Sequence, residues 1–266
     1  MSVSAEKGAG AASVLAVDVG NTETCFGVFA GGELVGRRTL STRLQLTSDE
    51  ALIYTRAILA MIAPGVALDG AILSCVVPPL TEVWLQALRE LSASRPLVVG
   101  PGLKTGVKMR YRDPTEVGPD RVADLIAARE RYGAPVVVVD MGTTVNIEVM
   151  DGAGTFQGGL IAPGFRLGAK ALSDAAARLP MIELRAPRTV IGRSTREAMQ
   201  SGVVYGEVAR IDGLLDMVAN ELGERAPVVV TGDGAGVIAT LLRHDSTVDD
   251  DLTLRGLYLL WRANQR

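Results

Sequence analysis

The chain carries one short pattern twice. The segment Val14-Leu-Ala-Val-Asp18-Val-Gly20-Asn21-Thr22 returns as Val136-Val-Val-Val-Asp140-Met-Gly142-Thr143-Thr144. Each copy is an apolar run that ends in Asp-x-Gly and small polar residues. Each is followed by a second apolar-rich run and a glycine turn, Gly31-Gly32 in the first copy and Asp151-Gly152 in the second. The pattern predicts a strand, a tight polar turn and an antiparallel return strand, twice over. Glycine lets another molecule approach the backbone, and the exposed N–H and hydroxyl groups can donate to an anion. The Asp can hold a cation or a metal-bound water. Two such turns facing one another would grip a polyphosphate from both sides. An internal repeat constrains architecture more than any single motif, because each copy must build a similar unit.

Around the repeat, strand-like runs fall near 14–19, 24–30, 34–40, 71–76, 96–99, 136–140, 145–150, 156–161 and 227–231. Helical patterns fill the intervals. Ser48 to Ala63 carries Asp49 and Glu50 in its first turn and is stopped by Pro64. Pro78–Leu91 and Asp120–Tyr132 follow, the latter closed by Gly133. Ser194-Thr-Arg-Glu197 matches a capping box and opens a helix running to about Leu222. Leu252–Ala263 reads as a closing helix. Alternating strands and helices in two similar halves give an α/β fold with two domains, 1–132 and 133–266, and a ligand cleft expected between them. Met1 to Ser13 is small and polar, lacks the apolar centre of a signal peptide, and is expected to fray.

Composition removes several function classes. In 266 residues the formal net charge is -3, and no basic block of the kind that tracks nucleic acid or anionic lipid is present. No apolar run has the length of a membrane span. Two cysteines, Cys25 and Cys75, make neither a disulfide framework nor a CxxC site, which points to a reducing, cytoplasmic compartment. The one histidine, His244, lies in an expected loop, which argues against histidine acid–base or zinc chemistry.

Several residues admit both a structural and a chemical reading. Asp18-Val19-Gly20-Asn21-Thr22 is either a hairpin turn or a phosphate site, and its recurrence at Asp140 favours the phosphate. Neither turn continues into Gly-Lys-Ser/Thr, so neither is a P-loop. Asp120, in Gly118-Pro119-Asp120-Arg121, is either a helix-start residue or a general base that aligns a substrate hydroxyl. Arg121 is either a solvated helix residue or a binder of carboxylate or phosphate. Tyr111 to Val117 is a polar loop leading into that turn, where substrate contacts are common. Gly158 to Gly164 allows tight backbone packing or close approach to a nucleotide. Thr231-Gly232-Asp233-Gly234-Ala235 follows the apolar run Val228–Val230, a common nucleotide contact in α/β proteins. Thr195 starts a helix or lines the cleft.

Taken in order and spacing, these segments resemble the type III pantothenate kinases of the actin-like, sugar-kinase and Hsp70 superfamily. The resemblance runs from about residue 14 to the end. It rests on Asp18 to Thr22, Leu73-Ser-Cys-Val-Val-Pro-Pro79, Tyr111-Arg-Asp-Pro114 with Gly118 to Arg121, and Asp140 to Thr143. It continues through Gly158 to Gly164, Ala171 to Pro180, Ile191-Gly-Arg-Ser-Thr195 and Leu252-Thr-Leu-Arg-Gly256. It implies two ribonuclease H-like (actin-like ATPase) domains and ATP-dependent phosphorylation of the primary hydroxyl of pantothenate, the first step toward coenzyme A. Carried over by position, Asp18, Val19, Gly20, Asn21, Thr22, Glu23, Thr24 and Cys25 form the first ATP-phosphate turn, with Asp18 near magnesium through water. Asp120 is the implied catalytic base. Tyr111, Gly118, Pro119, Asp120, Arg121 and Thr195 hold pantothenate. Asp140 binds a monovalent cation, potassium or ammonium, and Thr143 touches ATP. The resemblance also implies a homodimer with Thr195 near its interface.

The chain departs from the family pattern twice. The second turn reads Thr143-Thr144-Val145-Asn146 where the family has Thr-Ala-Thr-Thr, so Val145 replaces a hydroxyl donor and Asn146 alters the next. Asp233 stands where Thr-Gly-Gly-x-Ala has glycine, and its carboxylate is expected to repel a nucleotide phosphate. These departures favour one alternative, a non-catalytic nucleotide- or metabolite-binding regulator. A phosphohydrolase on the same fold is another.

Overall fold

The structure, a computed structural model, describes residues 12–176 and 179–265. Residues 1–11 of the Met1–Ser13 segment expected above to fray, and Ala177 and Arg178 within the Ala171–Pro180 segment, lie outside the described residues, whereas Ala12 is buried and Ser13 opens the first strand rather than fraying. The chain forms two compact units. One comprises 12–106, 113–127 and 252–265 of the described residues, and the other 107–112 and 128–251.

The first unit is built on β1 (Ser13–Val19), β2 (Glu23–Ala30), β3 (Glu33–Ser41), β4 (Gly70–Cys75) and β5 (Leu97–Val98), in the order β3-β2-β1-β4-β5. β1, β2 and β3 form an antiparallel meander, while β4 runs parallel to β1 and to β5. Gly31 and Gly32 make the β2–β3 turn with φ of 63° and 92°, the left-handed backbone that a tight hairpin demands. Alternation along β1 sends Leu15, Val17 and Val19 into a core with α1 (Ser48–Ile62) and α2 (Pro78–Arg89). Thr47 caps α1 in a reciprocal capping box with Glu50, one residue before the start expected from sequence.

The other face of this sheet is covered from the far end of the chain. α7 (Leu252–Ala263) packs on β1, β2 and β4, with Tyr258 stacked on Phe29 at 4.7 Å between ring centroids. Gly256 lies directly against the Ala123 backbone of α3 (Pro119–Tyr132), where any side chain would overlap the Ala123 carbonyl. Chain order groups Leu252–Ala263 with the second half, but its apolar face is buried in the first unit.

The second unit repeats the plan. β7 (Val136–Met141), β8 (Thr144–Met150) and β9 (Thr155–Pro163) form the meander, and β10 (Val228–Gly232) and β11 (Ser246–Val248) extend it in parallel. Read as β9-β8-β7-β10-β11, this order matches β3-β2-β1-β4-β5, so the duplication seen in the sequence extends to the whole sheet. A short strand, β6 (Lys108–Met109), adds to the outer side of β9. The strand expected over 156–161 extends to Pro163 and takes in the glycine-rich segment from Gly158. α4 (Phe165–Ala175), α5 (Thr195–Leu222) and α6 (Ala235–Ala239) complete the unit, whose core joins Val137, Val139 and Ile147 to Phe165, Val204, Ile211 and Ile238. At the head of α5 the Ser194 side chain accepts from Glu197 N–H, and Glu197 accepts from Arg193 N–H, one residue before the cap. Among the described residues no helix is long and apolar enough to cross a membrane.

The Gly256–Ala123 contact gives a direct test. Gly256→Ala is expected to destabilise the first unit by roughly 1–3 kcal/mol, the usual cost of overpacking. Chemical denaturation monitored at Trp84 and Trp261 fluorescence would show this as an earlier transition.

Candidate active site

The first turn is shaped by backbone closure. Gly20 N–H donates to the Glu23 carbonyl at 2.9 Å, and a Cβ on Gly20 would sit only 3.0 Å from that oxygen. Thr42, just past β3, ties the turn from beneath. Its hydroxyl donates to the Gly20 carbonyl at 2.8 Å and its N–H to the Thr22 carbonyl at 2.8 Å. Thr24 is buried below the turn, with its hydroxyl 2.9 Å from that of Thr42. Asn21, Thr22 and Glu23 are exposed at the tip, while Cys25 is half-buried beside Thr39.

Asp18 lies one residue before the end of β1, in register with Cys25 on one side and Ser74 on the other. Its Oδ1 and the Ser74 hydroxyl are both buried, and no well-formed hydrogen bond closes either. Burial pushes the Asp18 carboxyl up to about 7. The nearby Asp120 charge adds to the rise, and the Ser74 hydroxyl opposes it. An uncompensated buried carboxylate is costly, and a cation or the water of a hydrated cation would relieve it. The donor set therefore fits a divalent ion such as magnesium, which takes carboxylate oxygens and keeps much of its water.

Asp120 sits in the first turn of α3. Its carboxylate folds back over Gly118, where a Cβ would collide with it, and accepts the Arg121 N–H at 2.8 Å. Burial raises its pKa, and the Arg121 backbone and guanidinium hold the rise in check. Pro119 opens the helix beside it. Arg121 is 5% exposed, so the reading of a solvated helix residue is set aside. The first unit thus brings Asp18 and Asp120 within electrostatic reach of one another, which chain order alone does not reveal.

In the second unit, Asp140 lies one residue before the end of β7, in register with Asn146 and Thr231. Gly142 N–H closes the turn on the Thr144 carbonyl at 2.9 Å. Two segments press on this turn. Gly164 N–H donates to the Thr143 carbonyl at 3.1 Å, and a side chain on Gly164 would strike the Thr143 and Gly142 carbonyls. Gly232, at φ 86°, lies so close that a Cβ would stand 2.6 Å from the Met141 carbonyl oxygen and 2.7 Å from Asp140 Oδ1. Thr143 is exposed at the tip. Tyr111 follows β6 and stacks on Phe156 at 5.7 Å. Thr195 is exposed at the first position of α5. Among the described residues no group of three or more His, Cys, Asp or Glu side chains is arranged to hold a metal.

Both departures from the family pattern look different in three dimensions. Val145 is 1% exposed and packs in the core of the second unit, on the face opposite Thr144 and Asn146. It takes no donor away from the turn. Asp233 is paired with Arg166 of α4, Nε to Oδ2 at 2.5 Å, so its charge is not left bare. Sequence reading missed Thr42, Ser74 and Arg166, none of which lies within the motif that it serves.

A duplicated β-meander extended by parallel strands, with an Asp-x-Gly turn at the end of each leading strand, defines the actin-like class of ATPases and kinases. Solved structures agree on the fold. A protein described as a conserved Baf family transcriptional activator from Campylobacter jejuni superimposes with a TM-score of 0.60 at 21% identity, covering 94% of this chain and 98% of that one. The activator of 2-hydroxyisocaproyl-CoA dehydratase from Clostridium difficile, solved with bound ADPNP, superimposes at 0.50 and 12% identity, covering 94% of each. The type III pantothenate kinase family model matches residues 14–217. The type III pantothenate kinase of Moorella thermoacetica is 39% identical over 256 residues, covering 94% of this chain and 99% of its own length. That of Brevibacillus brevis is 37% identical over 253 residues, covering 95% and 99%. The chain belongs to the type III pantothenate kinase family.

The raised Asp18 pKa makes a prediction for the metal-free protein. Burial favours the neutral acid, so the stability it contributes is complete below the ordinary carboxylate range and is lost as pH rises through about 7. Thermal melts should therefore shift downward between pH 5.5 and pH 8. Asp18→Asn should flatten most of that slope and stabilise the metal-free protein at pH 8 by on the order of 2 kcal/mol. A slope unchanged by the substitution would place the titration elsewhere.

Proposed function

We propose that this protein transfers the terminal phosphoryl group of ATP to the primary hydroxyl of pantothenate, giving 4′-phosphopantothenate, the first step toward coenzyme A. Membership of the family gives the substrate class. The observation that carries the chemistry is the pair of half-buried carboxylates in the first unit, Asp18 and Asp120, each with a raised pKa.

The roles divide as follows. Asp18 holds magnesium, through water, beside the turn Val19 to Cys25, whose exposed N–H and hydroxyl groups meet the phosphates. Magnesium, when bound, neutralises charge on the triphosphate, which is the larger part of the task in this reaction class. Asp120 accepts the proton of the attacking hydroxyl, and its upward shift brings it nearer to working pH as a base. Tyr111, Gly118, Pro119, Arg121 and Thr195 hold pantothenate, with the Arg121 guanidinium taking its carboxylate. Thr143 contacts ATP. Asp140 binds potassium or ammonium. That reading is supported by the two oxygens, Asp140 Oδ1 and the Met141 carbonyl, that bound the space over Gly232. Two free cysteines suit the cytoplasm.

A homodimer completes this reading. The segment before α5 is strapped to α4 and α5 by Ser173, Ser201 and Tyr205, which donate to the carbonyls of Pro180, Val190 and Pro187. It leaves Met181, Val190 and Ile191 at 71%, 67% and 80% exposure next to Thr195. An apolar surface of this kind on a cytoplasmic protein is suited to a second copy of the chain. Ile191→Glu should convert the dimer to monomer in light-scattering chromatography.

Purified protein incubated with ATP, magnesium, potassium and pantothenate should yield phosphopantothenate by mass spectrometry, with little product when sodium replaces potassium. Asp120→Asn should lower kcat by roughly 10²–10⁴-fold, the usual worth of a general base, with substrate binding largely kept. Phosphate release without pantothenate would point instead to a hydrolase.

A further inference from the structure

We propose that Asp233 reads the sugar of the nucleotide: its carboxylate accepts hydrogen bonds from the ribose hydroxyls of ATP, and Arg166 holds it in position to do so. The inference rests on the reading of ATP as phosphoryl donor and adds the part of the donor that this residue recognises.

Position comes first. β10 ends at Gly232, whose backbone is pressed against Met141 and the Asp140 carboxylate, so Asp233 stands one residue from the second phosphate turn. That is the carboxyl edge of the sheet, where α/β folds bind their ligands. On the other side of the same turn, Gly164 is hydrogen-bonded to Thr143 and begins α4. The two flanking segments are locked together. Gly234, at φ 89°, has room only for the Phe165 ring, and Arg166 Nε meets Asp233 Oδ2 at 2.5 Å.

Stability does not account for this pair. Its side chains are 61% and 48% exposed, and surface pairs of that kind contribute little. Nor does a carboxylate suit phosphate, because an ionised carboxylate has only acceptors to offer. Beside a phosphate turn it is tolerated where the ligand presents donors. On ATP these are the ribose hydroxyls and the adenine amine, and the ribose is the group attached to the phosphates. An acidic side chain near a glycine-rich phosphate turn takes ribose hydroxyls in dinucleotide-binding folds by the same chemistry. Arg166 offsets the negative charge toward the phosphates and fixes the carboxylate rotamer. The glycine that the family carries at this position cannot make such a contact, so this chain should be unusually selective for ribonucleotides.

The test is direct binding by calorimetry of magnesium complexes of ATP, 2′-deoxy-ATP, 3′-deoxy-ATP and ITP to the full-length protein, Asp233→Gly and Asp233→Asn. The unaltered protein should bind ATP on the order of tenfold to a hundredfold more tightly than at least one deoxynucleotide, the range of a hydrogen bond to a charged group. ITP, which lacks the adenine amine, should bind within about threefold of ATP, the scatter expected when no charged hydrogen bond is lost. Both variants should bind ATP more weakly and lose most of the discrimination, with unchanged thermal melts. Equal binding of ATP and both deoxynucleotides by the unaltered protein overturns the inference and leaves the kinase reading intact. So does discrimination kept by Asp233→Gly, tighter ATP binding by that variant, or selectivity against ITP instead of the deoxynucleotides. Failure of ATP to bind at all overturns both readings.

Discussion

Taking a carboxylate out of water costs free energy unless something answers its charge. The first unit places Asp18 near the end of a largely buried strand, where burial raises its pKa and the nearby carboxylate of Asp120 adds to the rise. The surrounding structure makes that arrangement possible. Thr42 pins the turn from below, Gly20 closes it without a side chain, and Gly118 lets Asp120 fold back over the helix start. The site is held in a state of electrostatic need by a rigid frame. On the proposed reading, a cation bound there would meet a demand that already exists and leave less reorganisation for the moment of transfer.

The second unit uses the same hairpin under different pressure. Here the turn is squeezed from two sides by glycines, Gly164 from the segment after β9 and Gly232 from the end of β10. Gly164 lies against the Gly142 and Thr143 carbonyls, and Gly232 against the Met141 carbonyl and the Asp140 carboxylate. The duplicated sheet therefore supplies two turns of like shape but unlike chemistry. One centres on two half-buried carboxylates, and the other on a close-packed rim that carries an exposed ion pair, Arg166 with Asp233.

Much of this was readable from residues alone, and the exceptions have physical causes. Long apolar runs bounded by turn residues located β1 to β4 and β7 to β10, and end signals located α1, α3, α5 and α7 to within a residue or two. α4 escaped notice because Gly164 offers no capping side chain and the sequence before it reads as strand. β6, β11 and α6 are two, three and five residues long, and their mostly polar or mixed sequences carry no apolar run like the one that marks the equally short β5. The site was legible where its residues are contiguous, as in Asp18 to Thr22 and Gly118 to Arg121. It was opaque where tertiary packing supplies the partner, as with Ser74 beside Asp18 or Arg166 beside Asp233. Val145 misled for a related reason. A residue's place in a motif does not say which side of the strand it occupies, and the two-residue period turns Val145 into the core.

The seating of Gly256 on Ala123 also bears on how the molecule is made. Sheet β1 to β5 leaves the ribosome early, yet the helix that seals one of its faces follows every residue of the other unit. Until that helix emerges, Phe29 lacks its stacking partner and one side of the early sheet stays uncovered. The nascent protein must therefore carry an unfinished, apolar half through most of its own synthesis, while the later unit can close on itself first.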